Sequence, residues 1–141
     1  MKHIITALVE NQPGVLARIV GLISGRGFNI ESLNVAPTQD PTTSRMTMKV
    51  PGDDRVLEQV TKQLNKLVDV IKVSDLTQKH YLNRELILVE VQASPQKRTE
   101  IAELAALFDA KVVSVQANSL TIQMVGEQNK VDEFVKLLKP F

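Results

Sequence analysis

The residues whose types and spacing suit chemistry concentrate in one short run, Asn11-Gln12-Pro13-Gly14, which leads into Val15-Leu16-Ala17-Arg18-Ile19. A Pro-Gly turn that opens a helix leaves the first N–H groups of that helix without intrahelical partners. It also sets the positive end of the helix dipole beside them, an arrangement that suits a carboxylate or a phosphate. Gly14 has no side chain to block the approach. No nucleophile, acid–base pair or metal-ligand cluster accompanies the run, so the chemistry it supports is binding.

Elsewhere the reactive types are scattered. His3 and His80 stand far apart without carboxylates at ligand spacing, which argues against a zinc or catalytic pair. Asp53-Asp54 suits the start of a helix, and Lys97-Arg98 a solvated first helical turn. Arg18 and Arg26 read as surface charges, with contact to a partner protein as the alternative. Asn29 fits either an amide that binds an ammonium or carboxylate, or a core or turn role.

The elements that must position the turn follow from periodicity. Ile4 to Val9 is a nearly continuous apolar run, as in a strand at the middle of a helix-covered sheet. Val15, Leu16, Ile19, Val20, Leu22 and Ile23 then form one helical stripe, closed by Ser24-Gly25-Arg26-Gly27. Gly21, inside that helix, calls for a close contact with another element. Ile30 to Val35 reads as a strand stopped by Ala36-Pro37. Met46, Met48 and Val50 alternate with polar residues on the next strand, so these methionines belong to a core. Val56, Leu57, Val60, Leu64 and Leu67 mark a second helix, and Val68 to Leu76 a fourth strand. The fold class expected is α+β: a ferredoxin-like βαββαβ unit over residues 1–76. A polar linker spans 77–83, and a related α/β sandwich unit spans 84–141. In the second unit, Leu86 to Val91 and Val112 to Val115 are strands, and a helix starts at Ser94-Pro95 with Ile101, Leu104, Ala105 and Phe108 inward. Asn118-Ser119 turns into a strand carrying Leu120, Ile122 and Met124. A last helix buries Val131, Phe134, Val135 and Leu138, and no closing strand follows it. The turn Ala93-Ser94-Pro95-Gln96 lacks glycine, so the small-anion site is expected in the first unit alone.

Composition narrows the function classes. Seventeen basic and sixteen acidic residues leave a formal charge of +1, which gives no broad footprint for nucleic acid or an anionic membrane. No cysteine is present, so disulfides and thiolate metal sites are excluded. No apolar run approaches membrane-spanning length and no signal-peptide pattern opens the chain, so a cytoplasmic location is expected.

The run ENQPGVLARIVGLISGRGFNIESLNVAPT (10–38), with DPTTSRMTMKV (40–50) and LEQVTKQLNKLVDVIKV (57–73), resembles an ACT domain. With RELILVEVQA (84–93), the chain as a whole resembles the small regulatory subunits of acetohydroxyacid synthase (acetolactate synthase) of branched-chain amino acid biosynthesis. The resemblance implies a non-catalytic chain that activates a large catalytic subunit and makes it sensitive to feedback by valine or another branched-chain amino acid, leucine or isoleucine. It implies no cofactor here, with thiamine diphosphate, Mg and FAD on the catalytic partner. It further implies a homodimer through the ACT domain, with the effector at the interface. Asn11, Gly14, Val15 and Leu16 of one copy would hold the effector's carboxylate and α-carbon region, with Pro13 beside them, and Asn29 and Ile30 of the other copy would close the pocket. Ala36 would lie close behind it. Val15, Leu16 and Ile30 would supply an apolar recess for the branched side chain. Relative to that family the chain stops early, at Phe141. The competing expectations are a free-standing ACT-type amino-acid sensor acting on another enzyme or on transcription, against which no helix-turn-helix pattern is found, and an enzyme, against which no catalytic constellation is found.

Overall fold

A computed structural model describes residues 2–141. They form two compact units, one ending at Tyr81 and one covering Leu82–Phe141. The first runs β1 (Lys2–Glu10), α1 (Val15–Gly25), β2 (Ser32–Pro37), β3 (Thr43–Pro51), α2 (Asp54–Asn65) and β4 (Val70–Asp75). Its four strands lie in the order β2-β3-β1-β4 with every neighbouring pair antiparallel. This is the βαββαβ sandwich that the alternation of element types implies.

The two periodicities explain the packing. On β3, Ser44, Met46, Met48 and Val50 are buried while Arg45 between them is exposed. Met46, Met48 and Val50 meet Ile5, Ala7 and Val9 of β1, Val15, Ile19 and Ile23 of α1, and Val60 and Leu64 of α2 in one core. Each of the Val, Leu, Ile and Met side chains contributes about 1.5–3 kcal/mol on burial. Asp53 starts α2 by accepting the Val56 N–H at 3.1 Å, the capping role expected of the acidic pair.

Several boundaries and contacts differ from the sequence expectation. β2 begins at Ser32, because Ile30 packs against the core instead of entering the ladder. β4 begins at Val70, since Leu67 and Val70 are bonded in turns (to Leu64 and Leu67 carbonyls) and Val68 stands 97% exposed. A Cβ at Gly21 would meet nothing within 4 Å, so the close contact expected there is absent and nothing in the fold explains the glycine. Thr77 accepts the Ile4 N–H through its hydroxyl at 3.0 Å.

The second unit runs β5 (Glu85–Gln92), α3 (Arg98–Leu107), β6 (Lys111–Val115), β7 (Ser119–Gly126) and α4 (Gln128–Leu138). Its sheet order is β5-β7-β6, so β5, the counterpart of the internal strand β1, is an edge here. Ile101, Ala105, Ile122, Met124 and Phe134 fill its core, and the Phe108 and Phe134 rings lie 5.1 Å apart. α3 starts at Arg98 and not at Ser94-Pro95, because residues up to Lys97 form a turn closed by the Lys97 N–H on the Ser94 carbonyl at 2.9 Å. Val135, expected inward, is exposed.

Candidate functional site

The Asn11–Gly14 turn joins the end of β1 to the start of α1 and is braced from two sides. Toward β3, the Asn11 N–H donates to the Thr42 carbonyl at 2.8 Å and its side-chain amide donates to the Pro41 carbonyl at 2.8 Å. The loop that receives these bonds is itself fixed. Asp40 Oδ1 accepts the Thr42 hydroxyl at 2.7 Å and the Thr42 N–H at 3.0 Å. These two bonds, the hydroxyl's first, hold the Asp40 carboxyl below its ordinary value. Toward β4, the Glu10 N–H donates to the Asp69 carbonyl at 2.8 Å, just beyond the shift in register between Leu8 and Val9. Such irregularities re-aim a strand locally.

Gly14 is the N-cap of α1 with φ +85°, a left-handed conformation that glycine adopts without a steric cost. No side chain caps this helix and its first turn holds no acidic residue, so the positive end of the dipole is left unneutralised. Arg18, one turn along, folds back over the same place: a Cβ built at Gly14 would lie 3.0 Å from Arg18 Nη1. The other two guanidinium nitrogens are engaged, Nε at 3.0 Å and Nη2 at 2.8 Å, both donating to Asp69 Oδ2. With side chains 51% and 27% exposed, this ion pair is worth at most about 1 kcal/mol. Its importance is geometric. Arg18 is a surface charge, as expected from the sequence, and is held beside the turn by Asp69. Its spacing of four from Gly14 was the available signal, since residues four apart share a helix face.

Val15 turns its side chain into the core at 2% exposure, and its N–H donates to the Gln12 carbonyl at 3.3 Å. Pro13 is exposed, and Leu16 is 43% exposed. Asn29 and Ile30 are not brought to the turn within one chain. Ser32 pairs with Lys49, and Lys49 with Ile4, whereas the turn follows Glu10, about 20 Å further along the strand at about 3.3 Å per residue. The Lys2–Glu31 ion pair at 2.7 Å marks that opposite end. Ala36 pairs with Arg45 toward the turn's end of the sheet and lines a recess of about 300 Å³ with Asn34, Thr38, Arg45 and Thr47.

The other reactive types serve the fold. His3 is buried in β1 with Nε2 3.1 Å from the Asp53 carbonyl. Arg98, expected in a solvated turn, donates through Nη2 to the Gln116 and Ala117 carbonyls at 2.6 and 2.8 Å and so clamps the β6–β7 connection. Among the described residues, no group of three or more His, Cys, Asp or Glu is placed to hold a metal ion, and no helix is long and apolar enough to cross a membrane.

Comparison with known proteins gives this geometry a context. Residues 5–72 match the family model for the AHAS small subunit-like ACT domain, and residues 84–141 match that for the small subunit of acetolactate synthase. A probable acetolactate synthase small subunit of Archaeoglobus fulgidus is 52% identical over 141 residues, covering 100% of this chain and 88% of that protein. The chain belongs to the acetolactate synthase small-subunit family. Another family member, from Haemophilus influenzae, is 50% identical over 99% of this chain and 85% of its own length. The crystal structure of the acetolactate synthase small subunit from Thermotoga maritima superposes with a TM-score of 0.92 at 34% identity, covering 99% of this chain and 88% of that one. Within this family framework the braced turn at Asn11–Gly14 lies inside the ACT-domain match, and the turn at Ser94–Lys97 inside the second.

Proposed function

We propose that this chain is the regulatory subunit of an acetolactate synthase in branched-chain amino acid biosynthesis. It activates a large catalytic subunit and confers feedback inhibition by valine, which binds at the Asn11–Leu16 turn where two ACT units meet. The observation that carries this reading is the unneutralised helix start at Gly14, with no side-chain cap and no acid in its first turn. An amino-acid carboxylate supplies the missing acceptor. The Asn11 side chain, whose amide nitrogen is committed to Pro41, presents its oxygen to an α-ammonium.

The separation of Asn29 and Ile30 from the turn supports a homodimer. β2 is an edge strand, and Leu33 on it is exposed. Antiparallel pairing of two β2 edges about a two-fold axis carries Asn29 and Ile30 of one copy to the Pro37 end of the other, the end at which the turn lies. Each closed pocket then needs both copies. The effector acts through its differential affinity for two states of the complex, a coupling of typically about 1–3 kcal/mol. Thiamine diphosphate, Mg and FAD belong to the catalytic subunit in this reading, and this chain contributes no catalytic group.

The test is reconstitution. The chain should co-purify with the catalytic subunit, raise its turnover, and render it inhibitable by valine. A catalytic subunit whose activity and valine response are the same with and without the chain would rule the proposal out. Calorimetric titration of valine into the chain, with light scattering for the dimer, tests the site itself.

A further inference from the structure

We infer that Arg18, held in place by Asp69, is the residue that makes the turn select a free carboxylate. The inference rests on the reading of the Asn11–Leu16 turn as an amino-acid site and goes further by naming the group that decides which ligands enter it. A guanidinium folded back onto the N-terminus of its own helix is electrostatically adverse, because both are positive. Yet Arg18 is kept there. Asp69 accepts Nε and Nη2 through one oxygen, Oδ2, and so offsets the charge from the β4 side, while Nη1 is directed at Gly14, 3.0 Å from the place a Cβ would occupy. The same Asp69 accepts the Glu10 N–H through its carbonyl. One residue thus fixes the strand side of the turn with its backbone and the helix side with its side chain.

The Val15 N–H at the start of α1 donates to the Gln12 carbonyl at 3.3 Å, so an anion seated against Gly14 meets two kinds of donor, the Leu16 and Ala17 N–H groups of the first turn and the Nη1 N–H groups. A carboxylate takes both as charge-assisted bonds, whereas an amide of the same shape brings no charge to either. Arg18 is therefore the specificity-determining residue and Asp69 its positioning residue. Arg98 shows what a purely structural arginine looks like in this molecule. Its Nη2 is spent on two backbone carbonyls, and its helix carries Glu100 in the first turn.

The test compares valine with valinamide in calorimetric titrations of the full chain and of Arg18→Gln, Arg18→Lys, Asp69→Asn and the charge swap Arg18→Asp with Asp69→Arg, with thermal unfolding as the control. Arg18→Gln should weaken valine about tenfold or more and compress the preference for valine over valinamide by the same factor. Arg18→Lys should recover part of the loss and Asp69→Asn should show a smaller one. The charge swap separates the roles. It restores an ion pair, so a structural role predicts recovered unfolding temperature and recovered valine binding, whereas our assignment predicts the first without the second. Valine binding within twofold of the original chain in Arg18→Gln, or regained in the swap, overturns the inference while leaving the proposed function standing. If the unaltered chain, folded and dimeric, binds no valine, the site reading falls and this inference with it.

Discussion

The turns that follow β1 and β5 occupy the same place in related units and are built differently. At the end of β1, the helix starts directly after Gly14, with no acid in its first turn and no cap. At the end of β5, a turn up to Lys97 precedes the helix, Glu100 occupies the first turn, and Lys97 Nζ lies 3.8 Å from its carboxylate. Counting from the N-caps Gly14 and Lys97, Glu100 and Ala17 hold the same helical position. In the first unit Arg18, four residues past the N-cap, is pulled toward β4 by Asp69 and faces the turn; in the second Arg98, the first residue of its helix, is consumed by the Gln116 and Ala117 carbonyls. A helix N-terminus is common to both. What differs is whether its charge has been neutralised from within.

Breaking the comparison at its strongest point should have the largest effect. Gly14→Asp introduces a Cβ at φ +85° in contact with Arg18 Nη1 and supplies an internal carboxylate. Valine binding should fall by about a hundredfold or more, and inhibition of the reconstituted enzyme should be lost with it; an unchanged inhibition curve would place the site elsewhere. Ala17→Glu sharpens the comparison by giving α1 the acid that α3 has. It should add about 0.3–1 kcal/mol to stability through the dipole and yet weaken valine several-fold, which calorimetry and thermal unfolding would report together. A variant both more stable and equally tight would show that the unneutralised helix start is irrelevant to binding.

On the other side of the comparison, Arg98→Ala removes the clamp on the β6–β7 connection. It should cost about 0.5–1.5 kcal/mol, the net worth of a hydrogen bond whose exposed acceptors water can satisfy, seen in chemical denaturation, with valine affinity unaltered. The smallest effect concerns the loop that braces Asn11. The Asp40 carboxyl is held below its ordinary value by the Thr42 hydroxyl and N–H, so these bonds are intact above the unfolded-chain value of about 3.9 and are lost as the pH falls through the lower folded value. The Thr42 amide resonance should therefore titrate with a midpoint under that of an unperturbed aspartate, and Asp40→Asn should abolish the titration.

Much of this arrangement is legible along the chain. The Pro-Gly turn, the alternation around Met46 and Met48, the Val15, Ile19 and Ile23 positions of the α1 stripe and the cap at Asp53 all depend on neighbours a few residues apart, and each stands where periodicity and turn chemistry place it, whereas Leu16, expected in the same stripe, is exposed. Element ends were less legible at Ile30, Val68 and Ser94, where packing of one apolar side chain or a single turn bond moved the boundary. The site was legible only in outline. Nothing local marks Asp69 as the partner of Arg18, 51 residues away in sequence, or Pro41 as the acceptor for Asn11.

Amino-acid order alone thus determined which segments become strands and helices, most of the positions that go inward, with Leu16 and Val135 as the exceptions, and that the helix after Gly14 starts without a cap, because these depend on short-range sterics and on a repeat of two or 3.6 residues. The sheet order β2-β3-β1-β4 decided the rest. It set Asp69 and Thr42 on either side of the turn and sent Asn29 and Ile30 to the far end of the sheet, since which strands become neighbours is a property of the packed core and not of any one stretch of chain.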